Sequence, residues 1–238
     1  MSTNPLKIGI LETGRPPAIL DAQFSDYPTM TARWLAPLQA EFQTYSVLDG
    51  VLPLDPMACD LWVITGSKFG VYEPHPWIAP VEEFIRSVRS AGRKMIGICF
   101  GHQLIAQALG GIVRKSTKGW SLGVQDYDTS YWPDALGFKP ERLTLQAYHQ
   151  DQVDVIPTDA KVIASSDFCP VGGLWIPGFA ITFQGHPEFK NEYASALLNC
   201  RKGTVLSAVE VEKAQTTMDR APNSAEIAVG IAAHLDAI

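Results

Sequence analysis

Met95-Ile96-Gly97-Ile98-Cys99-Phe100-Gly101-His102-Gln103 is the stretch whose reading decides the fold. Lys94 to Ile98 is a short apolar run with the length of a buried strand. It passes without a gap into residues that read as a helix, Gln103 to Leu109, closed by Gly110-Gly111. A small-residue turn lets the chain reverse sharply between strand and helix. Cys99 then sits on the elbow, above the carboxyl edge of a sheet, with Gly97 and Gly101 two residues away on either side. Its sulfur meets the positive end of the following helix, which favours thiolate over thiol. Ligands bind along that edge in open α/β sheets. A buried cysteine at a strand end fits the same glycines, since cysteine is among the most buried residue types.

Working outward, the residues from Leu6 to Leu11 read as a first buried strand. Met30, Trp34, Leu35 and Leu38 fall near helical spacing and predict a helix over residues 29–42, with Pro37 as its weak point. Tyr45 to Leu48 reads as a second strand. Leu61-Trp62-Val63-Ile64 is a third, followed at once by the turn Gly66-Ser67-Lys68-Phe69-Gly70. Residues 77–91 form an amphipathic helix with Val81, Phe84, Ile85 and Val88 on one face and Gly92 as its C-cap. This alternation predicts an α/β fold, a mostly parallel central sheet flanked by helices on both faces. Beyond residue 112, short runs at 122–128, 143–149, 161–165 and 174–183 read as added strands, several antiparallel. The stretch after Pro187 reads as helical, with breaks at Gly203 and Pro222. With no internal repeat and no linker, the expectation is a single domain over residues 1–238. Its core covers about 6–190, and a C-terminal helical extension covers about 190–238.

Bulk properties narrow the function classes. The net charge is -6 and the lysines and arginines are scattered, so neither nucleic acid nor an anionic membrane is expected as a partner. Met1-Ser2-Thr3-Asn4-Pro5 lacks the basic start and long apolar stretch of a signal peptide. No run approaches the roughly 18 apolar residues that span a bilayer, so the expected location is cytoplasmic. Cys59, Cys99, Cys169 and Cys200 form no C-x-x-C pair, so neither a zinc site nor a disulfide framework is expected; no cofactor is expected either.

A second segment bears on Cys99. Ile181-Thr182-Phe183-Gln184-Gly185-His186-Pro187-Glu188 reads as an apolar strand ending in a polar group of residues. A nucleophilic cysteine needs a base, and the base needs a third group to hold its tautomer. His186 can be the base and Glu188 the third group, with Pro187 restricting the backbone between them. A lone histidine usually just caps a strand end; one beside a glutamate, matched to an upstream cysteine elbow, fits that reading less well.

Together these motifs resemble those of the class I (triad) glutamine amidotransferases. Gly97-Ile98-Cys99-Phe100-Gly101-His102-Gln103 is similar to the family's nucleophile motif, and Gly185-His186-Pro187-Glu188 to its His/Glu motif. Thr65-Gly66-Ser67-Lys68 stands where the oxyanion loop lies, and the three follow the family's order over roughly residues 6–190. The resemblance runs especially to the glutaminase domain of GMP synthetase and to free-standing relatives such as the γ-glutamyl peptidases.

The resemblance implies a flavodoxin-like three-layer sandwich and a site. Cys99 would attack a glutamine side-chain carbonyl to give a γ-glutamyl thioester, His186 would move the proton, and Glu188 would orient His186. Backbone N–H groups of Phe100 and of the Gly66-Ser67 turn would hold the oxyanion, each donor being worth about 3–4 kcal/mol. Gln103, His149 and Asp151 would face the glutamyl group, the last two within Tyr148-His149-Gln150-Asp151-Gln152-Val153, which resembles the family's Ser-His-x-Asp-x-Val stretch. Ser67-Lys68 replaces the usual Gly-Pro and Tyr148 replaces a common Ser; these departures bear on the shape of the loop and of the pocket. Lys118-Gly119-Trp120 fills a position that in the family often helps bind the substrate's α-carboxylate and amino groups.

Three functions follow as expectations. One is a free-standing hydrolase of glutamine or another γ-glutamyl amide or peptide. Another is a glutaminase subunit that passes ammonia to a separate synthetase partner. The third is a catalytically silent regulatory member. A phosphate-cradling synthetase loop is not found, which favours the first, and a homodimer remains compatible with the C-terminal helices.

Overall fold

A computed structural model describes residues 5–238. Met1 to Asn4, on which the reading of the N-terminus partly rests, lie outside the described residues. The strands are β1 (Lys7–Glu12), β2 (Glu41–Ser46), β3 (Leu61–Ile64), β4 (Lys94–Ile98), β5 (Ile112–Lys115), β6 (Ser121–Tyr127), β7 (Leu143–His149), β8 (Asp151–Val155), β9 (Lys161–Ala164), β10 (Gly173–Ile176) and β11 (Ala180–Phe183). The helices are α1 (Tyr27–Trp34), α2 (Ile78–Ser90), α3 (Phe100–Ala108), α4 (Asn191–Arg201), α5 (Ala208–Gln215) and α6 (Ser224–Ala233).

The main sheet runs β2-β1-β3-β4-β11-β10-β9. Every pairing from β2 to β11 is parallel, and β10 alone runs against its neighbours. Side chains alternate between two cores because successive strand residues point to opposite faces. Trp62, Ile64 and Met95 pack with Val81, Phe84, Ile85 and Val88 of α2 and Leu104 and Ile105 of α3. Leu61, Val63, Ile96 and Ile98 pack on the other face with Trp34 of α1, Ile227 and Ile231 of α6, and Leu143 and Leu145 of β7. The layers are therefore helix, sheet, helix, as the alternation of apolar runs required. Two antiparallel pairs, β5 with β8 and β6 with β7, are added beside them.

Several local expectations are corrected. The helix expected over 29–42 ends at Trp34, after a start capped by Asp26 accepting from the Thr29 N–H. Pro37 cannot donate a backbone hydrogen bond. The chain passes instead through a 3₁₀ turn, Ala36–Leu38, and a left-handed Gln39 (φ 50°). Residues 41–46 then form β2, earlier than the Tyr45 to Leu48 expected; this edge strand is too solvated to show an apolar pattern. The run at 174–183 is two strands joined through Pro177 and Gly178, the latter at φ 76°. The helix expected from Gln103 begins at Phe100, directly after Cys99.

The elbow between β4 and α3 depends on its two glycines. A Cβ on Gly97 would lie 2.7 Å from the Gly101 carbonyl oxygen, and one on Gly101 would lie 2.4 Å from the Ile64 carbonyl oxygen. Both obstacles are backbone, so neither can swing aside. Overpacking of this kind costs about 1–3 kcal/mol. Gly101→Ala is expected to lose about that much stability in urea unfolding; an unchanged midpoint would mean that the elbow is not tightly packed against β3.

Candidate active site

The site assembles where parallel strands end. Cys99 follows β4, Gly66 lies two residues beyond β3, and His186 lies three residues beyond β11. Strand β11 pairs with β4 in the register Phe183 to Ile98, and the Cys99 N–H donates to the Phe183 carbonyl at 2.8 Å. Sheet pairing thus brings the two distant segments side by side. The His186 N–H donates to the Gln146 carbonyl at 2.7 Å, which ties the histidine segment to β7 as well.

Cys99 adopts φ 51° and ψ -98°, a region that side-chain-bearing residues rarely enter. Such strain costs about 1–3 kcal/mol and persists only where the surroundings enforce it. The same backbone reversal leads straight into α3, so the Phe100 N–H is the first of the helix and lacks an acceptor within it. Gly66 lies opposite. A Cβ there would sit 2.7 Å from His186 Cε1 and 3.7 Å from the Cys99 Cβ, so only glycine lets loop, imidazole and thiol share this space. The Thr13 hydroxyl donates to the Thr65 carbonyl at 2.9 Å and so fixes the peptide that carries the Gly66 N–H. Gly14 supports the loop from behind, where a Cβ would meet the Gly66 carbonyl oxygen at 2.3 Å.

The imidazole is held on two sides. Nδ1 of His186 lies 2.8 Å from Oε1 of Glu188, both side chains being buried. The ring stacks on Phe189 with centroids 4.0 Å apart and planes 8° from parallel. With Nδ1 engaged, Nε2 is the ring nitrogen left for another partner. Burial disfavours the charged ring, but the charge of Glu188 and the charge and hydrogen bonding of Cys99 outweigh it and hold His186 above the ordinary histidine range. Two other buried histidines behave oppositely. Burial pushes His102 down to about 3, and its Nδ1 lies 2.7 Å from the Thr182 hydroxyl. Burial likewise pushes His149 down to about 4 against a 3.1 Å contact of its Nδ1 with the Asp151 carbonyl. Of the three, His186 alone has a carboxylate partner.

Two hollows meet at this point. One, of about 160 Å³, is lined by Cys99, Gln103, His149 and Asp151 together with Glu73 and Lys115. The other, of about 250 Å³, is lined by His186 and Phe189 with Arg15 and Arg201. Ser67, Lys68 and Tyr148 border both. The structure therefore groups Cys99, Gln103, His149 and Asp151 on one side and His186 on the other, with Glu188 behind the ring. Gln103 has its amide nitrogen engaged by the Asp151 carbonyl at 2.9 Å and Gln184 Oε1 at 3.0 Å, which ties α3 to the β7–β8 corner. Of Lys118-Gly119-Trp120, Trp120 lines the smaller hollow, whereas Lys118 turns away to the carbonyls of Asp167 and Phe168. His75 pairs with Glu73 at 2.8 Å, and His234 stacks on Phe138. Thr13, Gly14, Phe189 and Arg201 were not singled out from the sequence. An aromatic three residues after His186 was the one available signal; the other three reach the site from distant turns and helix ends.

Comparisons with known proteins show the family and the fold. The family model for class I glutamine amidotransferases matches residues 53–199. The chain belongs to the class I glutamine amidotransferase family. γ-Glutamyl peptidase 3 of Arabidopsis thaliana is 30% identical over 190 residues, covering 76% of each chain. A GMP synthase (glutamine-hydrolysing) of Aeropyrum pernix is 28% identical over 187 residues, which are 77% of this chain and 35% of that one. A glutamine amidotransferase structure from Thermotoga maritima superposes with a TM-score of 0.74 at 20% identity over 98% of this chain and 97% of its own. Another, from Methylobacillus flagellatus, gives 0.74 at 22% identity, covering 98% and 94%. At these identities the two structures establish the fold, an α/β sandwich of this family. Among the described residues no helix is long and apolar enough to cross a membrane.

The raised position of His186 has a sign that can be tested. Its charge stabilises the fold in full below the ordinary histidine range, and that contribution is lost as pH rises through the raised folded value. In Glu188→Gln the burial is less opposed, so the NMR titration of the His186 ring is expected to move to lower pH. The stability deficit of this variant should be larger near about pH 6 than at strongly alkaline pH. An identical titration in both proteins would remove Glu188 as the source.

Proposed function

We propose that the chain is a free-standing hydrolase that cleaves glutamine or another γ-glutamyl amide through a γ-glutamyl thioester on Cys99. The observation that carries this reading is the buried line of Cys99, His186 and Glu188 at the junction of the two hollows. His186 already holds the proton of the Cys99–His186 pair, and the Cys99 sulfur adds to the γ-carbonyl carbon. The tetrahedral oxyanion is held by the N–H groups of Phe100 and of the Gly66-Ser67 turn. The carbon–nitrogen bond then breaks, and the departing amine takes the proton from His186. Water, deprotonated by the same imidazole, hydrolyses the thioester to glutamate and restores the pair. Glu188 keeps Nδ1 occupied throughout, so Nε2 faces the reacting atoms.

The smaller hollow suits the glutamyl group. Asp151 supplies negative charge for an α-ammonium, beside a Glu73 already paired with His75; Lys115 supplies positive charge for an α-carboxylate, and His149 offers an uncharged ring. Similarity to γ-glutamyl peptidase 3 supports the hydrolase reading. Similarity to part of a GMP synthase supports a second reading, a glutaminase that passes ammonia to a synthetase partner. Addition of a co-purifying protein that raises glutamine turnover would favour that second reading.

Treatment with a glutamine-like diazoketone should add one equivalent of the reagent at Cys99, read by peptide mass spectrometry. Cys99→Ala should abolish labelling and reduce amine release by at least about a thousandfold. Equal labelling of parent and variant would overturn the nucleophile assignment.

A further inference from the structure

We infer that the larger hollow is a leaving-group subsite for amines that carry a carboxylate, so that the preferred substrates are γ-glutamyl amino acids or short γ-glutamyl peptides rather than glutamine. This inference rests on the γ-glutamyl reading above and specifies what lies beyond the scissile bond. The position of the hollow comes first. It is lined by His186, the group that protonates the departing amine, whereas Cys99 and the candidate glutamyl-binding residues line the other hollow. Acyl side and amine side are thereby separated, with Ser67, Lys68 and Tyr148 as the shared wall.

Size argues next. The hollow holds about 250 Å³, whereas a molecule the size of water, and hence of ammonia, needs roughly 30 Å³. The hollow, open to solvent, has room beyond the scissile bond for an amine far larger than ammonia.

Charge selects among such amines. The hollow's charged lining is entirely basic: Arg15, Lys68 and Arg201. Arg15 is committed, because its guanidinium is held by Glu12 and Asp49. Lys68 and Arg201 form no ion pair with a carboxylate among the described residues; Lys68 lies over the Phe69 ring at 5.2 Å. Arg201 is half-buried in the last turn of α4 and sits close enough to Tyr148 to influence its hydroxyl. Two uncommitted cations facing a hollow on the amine side of the scissile bond match a carboxylate on the leaving group. Lys68, which stands where the family's oxyanion loop usually has proline, is accounted for by the same role.

The test compares γ-glutamyl-alanine with γ-glutamyl-alaninamide, which differ only in that carboxylate, and with glutamine, by steady-state amine release. The parent protein is expected to favour γ-glutamyl-alanine over its amide by at least about tenfold in kcat/KM, the scale of a charge-assisted hydrogen bond. In Arg201→Ala that ratio should fall toward one, in Arg201→Lys it should be largely kept, and Lys68→Ala should lower it independently. A parent that cleaves all three compounds with equal efficiency, or an Arg201→Ala variant that keeps the parent's ratio, overturns the subsite and leaves the γ-glutamyl reading standing. A parent that cleaves none of them and is not acylated at Cys99 overturns both.

Discussion

The parallel pairing of β11 with β4 is the constraint on which the site depends. Nothing local brings Cys99 and His186 together. Their proximity follows from the register that sets Phe183 beside Ile98 and lets the Cys99 N–H bond to the Phe183 carbonyl. A slip of one residue would turn every side chain of β11 to the opposite face, because side chains alternate along a strand. Ile181 and Phe183 belong to the core on one face and Ala180 to the core on the other, so such a slip is opposed by both cores. Packing far from the thiol thereby fixes the geometry around it.

Burial then sorts the titratable groups. His102, His149 and His186 are all nearly inaccessible, and desolvation alone would keep all three neutral. A carboxylate at 2.8 Å from Nδ1, together with Cys99, reverses the outcome for His186 only. His149, kept uncharged, adds no positive charge beside His186. The second carboxylate oxygen of Glu188 has no hydrogen-bond partner among the described residues. The interaction with the imidazole is therefore the chief compensation for burying that charge.

The sequence made some of this legible and not the rest, for physical reasons. The elbow could be read because a sharp strand-to-helix turn needs glycines at fixed offsets, and Gly97 and Gly101 prove to be pressed against backbone. The His186–Glu188 contact could be read because both residues lie on one short segment. Helix α2 was legible through its apolar face and its stop through the residue type of Gly92, which adopts a left-handed φ of 67°. Strand β2 was legible only in part, as Tyr45 to Leu48, because an edge strand solvated on both faces carries a weak periodic signal. Strands β5 and β8 were missed for a similar reason: β5 has one buried residue, Val113, flanked by exposed ones. Arg201 and Arg15 were invisible as site residues because helix packing and the turn after β1, not chain proximity, bring them to the cleft.

The strained elbow and the charged cleft are linked. A positive φ at Cys99 is unfavourable by about 1–3 kcal/mol, and it is maintained by contacts that also serve other ends. The close approach of Gly101 to the Ile64 carbonyl anchors the elbow to β3, and β3 in turn launches the Gly66-Ser67-Lys68 loop. Thr13 holds the Thr65 carbonyl of that loop, and two residues later Arg15 is pinned by Glu12 and Asp49 beside the larger hollow. The backbone that forces the Cys99 thiol into its conformation is thus continuous with the backbone that presents Arg15 and Lys68 to the larger hollow. A change that relaxed the elbow would be felt both at Cys99 and along the wall of that hollow.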